Sequence, residues 1–265
     1  MNECYFMSDK TNIEASFYNQ KASGFVAEDL SYKDVFNSND RLLRQAHICY
    51  ETQVRNELNE KKSGHILDYG CGAGLKNFAF ADSYWKIFGI DISDVSISLA
   101  QKMAKERRVN AEFLVMDCEE MLFAGSFFDI ILDYASFSSL DMKKALPQIY
   151  RVLKPGGTLI AIETFGHNPI TNLKRWISML TGRRTKWATS HIMKKKDWDI
   201  ISRNFSDFRI YYFGFFVIFL GPLGKFCPEI LLKIFEGADT ILFKWRFLRK
   251  FAFRTVVVMK NLNKN

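Results

Sequence analysis

The stretch HILDYGCGAGLK, residues 65–76, places three glycines directly after a short apolar run. The run at 65–69 predicts a buried β-strand, and residues 75–81 predict a helix. Gly70, Gly72 and Gly74 would let the connecting backbone approach a ligand closely. A strand, a glycine loop and a helix in this order predict the first turn of a βαβ unit, with a ligand bound above it.

Strand-like and helix-like segments continue to alternate downstream of this loop. Helices are predicted over 93–108, where Ser93 is a suitable N-cap, and over 141–153, which Pro155-Gly156-Gly157 would stop. Because parallel strands need crossover connections, this rhythm predicts a doubly wound α/β fold with helices on both faces of a mostly parallel sheet. The seven predicted strands are residues 65–69, 85–91, 111–117, 127–133, 158–164, 208–213 and 254–260.

The same pattern divides the chain into regions. A Rossmann-like domain is predicted over 64–165 and 194–265, after a helical N-terminal cap over 1–63. Residues 166–193 interrupt the alternation and predict an inserted lid, and a further aromatic-rich insertion is predicted at about 215–250.

Composition limits the class of protein. The 265 residues include five cysteines and no CxxC pair, which argues against a disulfide framework and against a zinc site. The longest apolar run, residues 211–220, is well short of the ~20 residues that span a bilayer. We therefore expect a cytoplasmic protein without a bound metal.

Two acidic residues indicate which ligand the glycine loop holds. The dinucleotide fingerprint G-x-G-x-x-G needs a third glycine at the position of Leu75. Asp68, two residues before Gly70, would repel a pyrophosphate and attract an ammonium group. Asp91 ends the second predicted strand, where a carboxylate accepts hydrogen bonds from a ribose diol. A ribose, an ammonium group and no phosphate together describe S-adenosylmethionine (SAM).

At this point the sequence resembles a known family. Five segments follow the order and spacing of the class I SAM-dependent methyltransferases: LDYGCGAG (67–74), GIDIS (89–93), VMDCEE (115–120), FDIILD (128–133) and LKPGG (153–157). The resemblance spans roughly residues 15–164 and is closest to the small-molecule branch of ubiquinone and menaquinone biosynthesis methyltransferases. It implies methyl transfer to a small, hydrophobic or lipid-like acceptor that can be anionic, with S-adenosylhomocysteine (SAH) as product.

The resemblance also implies cofactor-binding residues. Asp68 would orient the methionine ammonium group, the loop Gly70–Gly74 would offer backbone groups of Gly70, Cys71 and Gly72, and Asp91 would hold the ribose hydroxyls. The other implied contacts are Ile92 against adenine, Asp117 at the adenine amino group, the nearby backbone of Cys118, Asp133 and Tyr134 at the methionine end, and Tyr18 as an aromatic residue that closes over the cofactor.

The expected reaction is an in-line displacement, in which the protein positions the reactants and excludes water. A base is needed only if the acceptor arrives protonated. Many relatives carry histidines just after the fourth strand, where this chain has Phe137-Ser138-Ser139, so the candidates are His167, Glu163 and His191. As alternatives, His167 would shape a turn before Pro169, and Glu163 would accept hydrogen bonds from backbone amides.

Positive charge is concentrated in the C-terminal third. Residues 1–170 carry 18 Lys and Arg against 23 Asp and Glu, whereas residues 171–265 carry 19 against 6. Basic residues there alternate with aromatic ones, as in KWRFLRKFAFR (244–254). This composition suits peripheral contact with an anionic membrane, a pocket for a long apolar or anionic acceptor, or simply a solvated basic face. Nucleic acid is not expected, because no RNA-binding aromatic signature occurs.

Two other functions remain open on the sequence. One is a nicotinamide-dependent oxidoreductase, against which Asp68 and Leu75 both count. The other is a non-catalytic module that binds SAM or docks on a membrane.

Overall fold

A computed structural model describes residues 9–23, 41–74 and 76–263. Its strands are β1 (Gly64–Tyr69), β2 (Trp85–Asp91), β3 (Ala111–Val115), β4 (Phe128–Tyr134), β5 (Leu153–Thr164), β6 (Phe205–Phe213) and β7 (Arg254–Leu262). They form one sheet in the order β3-β2-β1-β4-β5-β7-β6. The first five strands pair in parallel, and β7 is antiparallel to both β5 and β6. The predicted doubly wound, mostly parallel seven-stranded sheet is confirmed.

Helices cover both faces of this sheet. They are α1 (Asp9–Ser23), α2 (Arg44–Lys61), α3 (Asp94–Arg107), α4 (Met142–Val152), α5 (Pro169–Leu180), α6 (Lys186–Ser190), α7 (Lys195–Ile201) and α8 (Glu229–Leu242). On one face, α2 buries Tyr50 and Val54 against residues of β1, β4 and β5. On the other face, α4 and α7 bury Ile149 and Trp198. Because both faces are covered, the central strands bury consecutive apolar residues, such as Ile130, Ile131 and Leu132, rather than alternating ones.

The point where the strand order reverses lies between β1 and β4. From β1 the chain winds outward through β2 to β3, and then returns to the other side of β1 as β4. The loops that leave β1 and β4 therefore diverge, which opens a crevice at the carboxyl ends of the strands. α3 begins beside this crevice as predicted, with the Ser93 hydroxyl accepting a hydrogen bond from the Ser96 amide.

Several predicted boundaries were wrong, and three of them have a clear local cause. The helix predicted over 75–81 is a single 3-10 turn, Phe78–Phe80, because the side chain of Asn77 turns inward to a buried partner. β3 ends at Val115, since the carboxylate of Asp117 accepts the Glu119 amide and turns the chain. β5 begins at Leu153, before the Pro-Gly-Gly segment, and its pairing with β4 shifts register there.

The flanking regions are helical. Within the predicted cap over 1–63, α1 and α2 are observed, and residues 1–8 and 24–40 lie outside the described residues. The predicted lid over 166–193 contains α5 and α6, and the aromatic-rich region contains a 3-10 segment (Val217–Phe226) and α8. No helix in the described part of the chain is long and apolar enough to cross a membrane.

Candidate functional site

A cavity of about 570 Å³ lies in the crevice at the carboxyl ends of β1, β2 and β4. This volume is in the usual range for small-molecule sites. Eleven of the twelve cofactor residues predicted from the sequence line it: Tyr18, Asp68, Gly70, Cys71, Gly72, Gly74, Asp91, Ile92, Asp117, Cys118 and Tyr134.

The glycine loop that leaves β1 forms the floor of the cavity. Gly70 has a φ of +67°, and a Cβ atom on it would lie 2.5 Å from the Cβ of Ser136. Gly74 has a φ of +73°, and a Cβ atom there would lie 2.7 Å from the ring of Phe78. At both positions the backbone angle and the lack of space exclude a side chain. Only glycine therefore lets the loop after β1 pass so close to Ser136 and to the ring of Phe78.

Asp68 is a buried acid at the end of β1, with 2% of its surface exposed. Its Oδ1 accepts a hydrogen bond of 2.8 Å from Nδ2 of Asn77, whose Oδ1 accepts one of 3.1 Å from the Tyr50 hydroxyl. Burial raises the pKa of Asp68 to about 7, the Asn77 hydrogen bond opposes the rise, and the charge of Asp91 adds to it. A buried carboxylate held in this way fits a cationic group in the cavity.

Asp91 ties the glycine loop to the start of α3. Its Oδ2 accepts a hydrogen bond of 2.8 Å from the Gly72 amide, and its Oδ1 accepts one of 2.9 Å from the Ser93 amide. Burial raises its pKa, and these amide hydrogen bonds oppose the rise. Each carboxylate oxygen has a further lone pair, so the group can also accept hydrogen bonds from a ribose. In this structure the Gly72 amide therefore donates its hydrogen bond to Asp91.

Helix α1 covers the cavity, a role that the sequence predicted for Tyr18 alone. The Tyr18 hydroxyl lies 2.9 Å from Oγ of Ser139, in the loop after β4. At the other end of α1, the Thr11 hydroxyl donates to Oδ2 of Asp117 over 3.3 Å, and Lys10 forms an ion pair with Glu119. The cavity residues that sequence reasoning missed include Lys10, Thr11, Glu14, Lys21, Asn77, Glu119, Ser136, Ser139 and Arg254. The sequence signal that could have found the α1 residues is the four-residue spacing of Lys10, Glu14 and Tyr18, which places their side chains on one face of a helix.

Asp133 and Glu163, two of the predicted site residues, are not among the residues that line the cavity. Both are fully buried, and they hold the loop after β4 from below. Asp133 accepts hydrogen bonds from the amide and the hydroxyl of Ser136. Glu163 accepts hydrogen bonds from the Phe137 amide at 2.7 Å and the Thr164 amide at 3.1 Å, which is the backbone role considered as its alternative. Burial raises the pKa of Asp133 well above its usual range and that of Glu163 to about 7.

The two candidate histidines also lie away from the cavity. The Nε2 atom of His167 accepts a hydrogen bond of 3.1 Å from the Lys195 amide, which joins the end of β5 to α7. The ring of His191 is exposed and stacks on Trp187 at 3.8 Å between centroids. Neither histidine is among the residues that line the cavity, and a base at either position stays a prediction.

Residues 60–205, more than half of the chain, match a family model described as a methyltransferase domain. A demethylmenaquinone methyltransferase from Lactococcus lactis is 30% identical over 123 residues, covering 44% of this chain and 49% of that protein. A phosphoethanolamine N-methyltransferase from Triticum aestivum is 31% identical over 130 residues, covering 48% and 26%. The chain thus spans about half the length, or less, of these curated relatives.

Solved structures show the same fold. A geranyl diphosphate C-methyltransferase from Streptomyces coelicolor, crystallised with Mg²⁺, geranyl diphosphate and SAH, aligns with a TM-score of 0.60 and 13% identity, over 97% of this chain and 99% of that one. A phosphoethanolamine N-methyltransferase from Haemonchus contortus, crystallised with phosphomonomethylethanolamine and SAH, aligns with a TM-score of 0.53 and 16% identity, over 76% and 49%. The chain belongs to the methyltransferase-domain family and has the fold of the SAM-dependent methyltransferases.

Proposed function

We propose that this protein transfers a methyl group from SAM to a small-molecule acceptor. The observation that carries the proposal is the placement of Asp68 and Asp91 in one cavity, on either side of a glycine loop that admits no side chain at Gly70. Their buried carboxylates suit an ammonium group and a ribose, and they disfavour a pyrophosphate. The family match supports the same reading and counts against the nicotinamide-dependent alternative.

SAM, when bound, supplies a methyl group on a positively charged sulfur. Asp68 holds its ammonium group, Asp91 its ribose, and Asp117 the amino group of adenine beside Ile92. Helix α1 then excludes water above the cofactor, with Tyr18 hydrogen-bonded to the loop after β4. The chain contributes mainly position and exclusion of solvent, since the leaving group is already activated.

We further propose that the acceptor is hydrophobic or lipid-like and carries an anionic group. Arg254 lines the cavity, and its Nε and Nη1 atoms are buried without a hydrogen-bond partner among the described residues. The Nε of Arg184, which does not itself line the cavity, is also buried without a hydrogen-bond partner among the described residues. Both guanidinium groups lie close enough to Glu163 to lower its pKa. Buried guanidinium donors in such a position suit a carboxylate or a phosphate on the acceptor.

Calorimetry with SAM and SAH tests the cofactor, and labelled SAM with lipid and small-molecule extracts tests the transfer. We expect both ligands to bind and label to enter an organic-soluble product. Folded protein that binds neither SAM nor SAH would overturn the proposal. Binding of NADH, followed by its fluorescence, would favour an oxidoreductase, and SAM binding without turnover on any extract would favour a non-catalytic module.

We also propose that the protein docks on anionic membranes through α5 and the neighbouring aromatic segment. Helix α5 exposes five apolar side chains by 49–62%: Ile170, Leu173, Trp176, Ile177 and Leu180. The side chain of Asn168, at the start of α5, donates to the Phe251 carbonyl and so joins this helix to the segment that exposes Trp245 and Phe247. Exposed apolar residues in a strongly basic region are typical of an interfacial surface.

Vesicle flotation tests this docking. We expect the protein to float with phosphatidylglycerol-containing vesicles, and the double substitution Leu173→Ser with Trp176→Ser to abolish flotation. The control is Leu122→Ser, which removes an even more exposed apolar side chain elsewhere. Equal flotation of the double variant and the wild type, or no flotation of the wild type, would contradict the proposal.

A further inference from the structure

Glu14 is a buried acid that lines the cavity and whose carboxylate has no hydrogen-bond partner among the described residues. Only 1% of its surface is exposed, and neither Oε1 nor Oε2 accepts a hydrogen bond from any residue in the described ranges. The hydroxyls of Thr185 and Ser139 lie near it, but neither reaches hydrogen-bonding geometry in this structure. Because a buried acceptor left unpaired is costly, the group indicates a donor on a bound ligand.

The contacts of α1 on either side of Glu14 show where this residue lies along the cavity. Lys10 and Thr11, one turn earlier on α1, contact Glu119 and Asp117, at the end expected to hold adenine. Tyr18, one turn later, reaches the loop after β4. Glu14 lies between these contacts and also approaches the residues that lead into α6 of the predicted lid.

The charges around Glu14 leave it available to a ligand. Lys10 forms its ion pair with Glu119, and Arg184 donates to the Ser138 hydroxyl and the Ala188 carbonyl. Both cations lower the pKa of Glu14, but burial is the largest effect and raises it. A carboxylate with a raised pKa is a stronger base than an exposed one.

We propose that Glu14 contacts the group to be methylated and accepts its proton. This inference rests on the proposed function. As an oxygen or nitrogen of the acceptor attacks the methyl carbon, the carbon–sulfur bond breaks and its electron pair remains on sulfur. Glu14 takes the proton from that oxygen or nitrogen and becomes a neutral carboxylic acid, so charge and atoms balance. The acceptor is therefore a molecule that presents a hydroxyl or an amine at the reacting position.

A cofactor analogue tests the position of Glu14 without an identified acceptor. In sinefungin, a carbon bearing an ammonium group replaces the sulfur and methyl group of SAM, so the ammonium occupies the place of the transferred methyl. We measure sinefungin and SAH affinities by calorimetry for the wild type, Glu14→Gln and Glu14→Ala. The control Glu120→Gln removes the same charge at an exposed residue that does not line the cavity.

We expect the wild type to prefer sinefungin over SAH, and the preference to fall by about tenfold in both Glu14 variants, since a hydrogen-bonded charge pair is lost. SAH affinity should stay unchanged in them, and Glu120→Gln should keep the wild-type preference. An unchanged preference in Glu14→Gln or Glu14→Ala would overturn the role of Glu14 and leave the proposed function standing. Failure of the wild type to bind either ligand would overturn both.

Discussion

We predict that Asp68 gives cofactor binding a pH dependence, whose size follows from its pKa. Burial raises its pKa to about 7, and only the ionised carboxylate pairs well with an ammonium group. Below that pKa, each pH unit lowers the ionised fraction about tenfold. Affinity for SAH should therefore be about tenfold weaker at pH 6 than at pH 8.

The substitution Asp68→Asn isolates this effect. Its amide oxygen can still accept the hydrogen bond from Asn77, so the local structure is kept. We expect at least roughly tenfold weaker SAH binding at pH 8, because a charged hydrogen bond is lost, and an affinity that changes little down to pH 6. The assay is calorimetry with SAH. SAH has no positively charged sulfur to lower the pKa of its amino group, so that group stays protonated between pH 6 and pH 8.

The same shift links Asp68 to stability. Its folded-state pKa lies above its usual value, so the native state binds more protons than the unfolded state between about pH 4 and pH 7. The stability of the ligand-free protein therefore falls as pH rises through this window, and Asp68→Asn should melt at a higher temperature than the wild type at pH 8. Glu163 titrates in the same window, so the difference between the two proteins is the informative quantity. An Asp68→Asn protein that keeps the wild-type slope of SAH affinity with pH would refute the reasoning.

Three further outcomes follow from the site. Asp91→Asn should weaken SAH binding roughly tenfold in calorimetry, because an amide nitrogen replaces an accepting oxygen. Gly70→Ala should lower the melting temperature more than Gly72→Ala. An added Cβ atom meets Ser136 at 2.5 Å in the first variant and nothing within 4 Å in the second. Equal losses of melting temperature would show that backbone strain alone decides the cost. Tyr18→Phe should speed SAH dissociation several-fold in stopped-flow measurements, by loss of one hydrogen bond from the cover, and an unchanged rate would contradict the role of α1.

The sheet and the meeting of Asp68 and Asp91 at one cavity could be predicted from the sequence because local signals specify them. The observed β2 has the predicted bounds, since a strand covered on both faces carries a run of consecutive apolar residues, here residues 87–90. Asp68 and Asp91 could be placed because a parallel sheet brings the carboxyl ends of its strands to one edge. Side chains at those ends therefore meet whatever their separation in the chain.

The rest of the site depends on contacts that no local pattern encodes. Glu14 reaches the cavity because α1 packs across the mouth, through pairs such as Lys10 with Glu119, 109 residues apart in sequence. His167 has the right position along the chain for a base, but the Lys195 amide of a later helix fixes its ring outside the cavity. The sequence locates the end of a strand. The direction of a side chain in the loop that follows depends on residues that pack against it from elsewhere in the chain.

The buried acids around the cavity divide into two groups with different consequences for catalysis. Asp68 and Asp91 line the cavity, whereas Asp133 and Glu163 accept hydrogen bonds from backbone amides of the loop after β4, which also contains Ser139. Loss of Glu163 would free the Phe137 amide and shift that loop, and so would lower the rate of transfer without any contact between Glu163 and substrate. A rate measurement alone would then mistake it for a catalytic residue. Because SAH binding depends on the first group and the order of the loop on the second, calorimetry alongside kinetics separates the two roles.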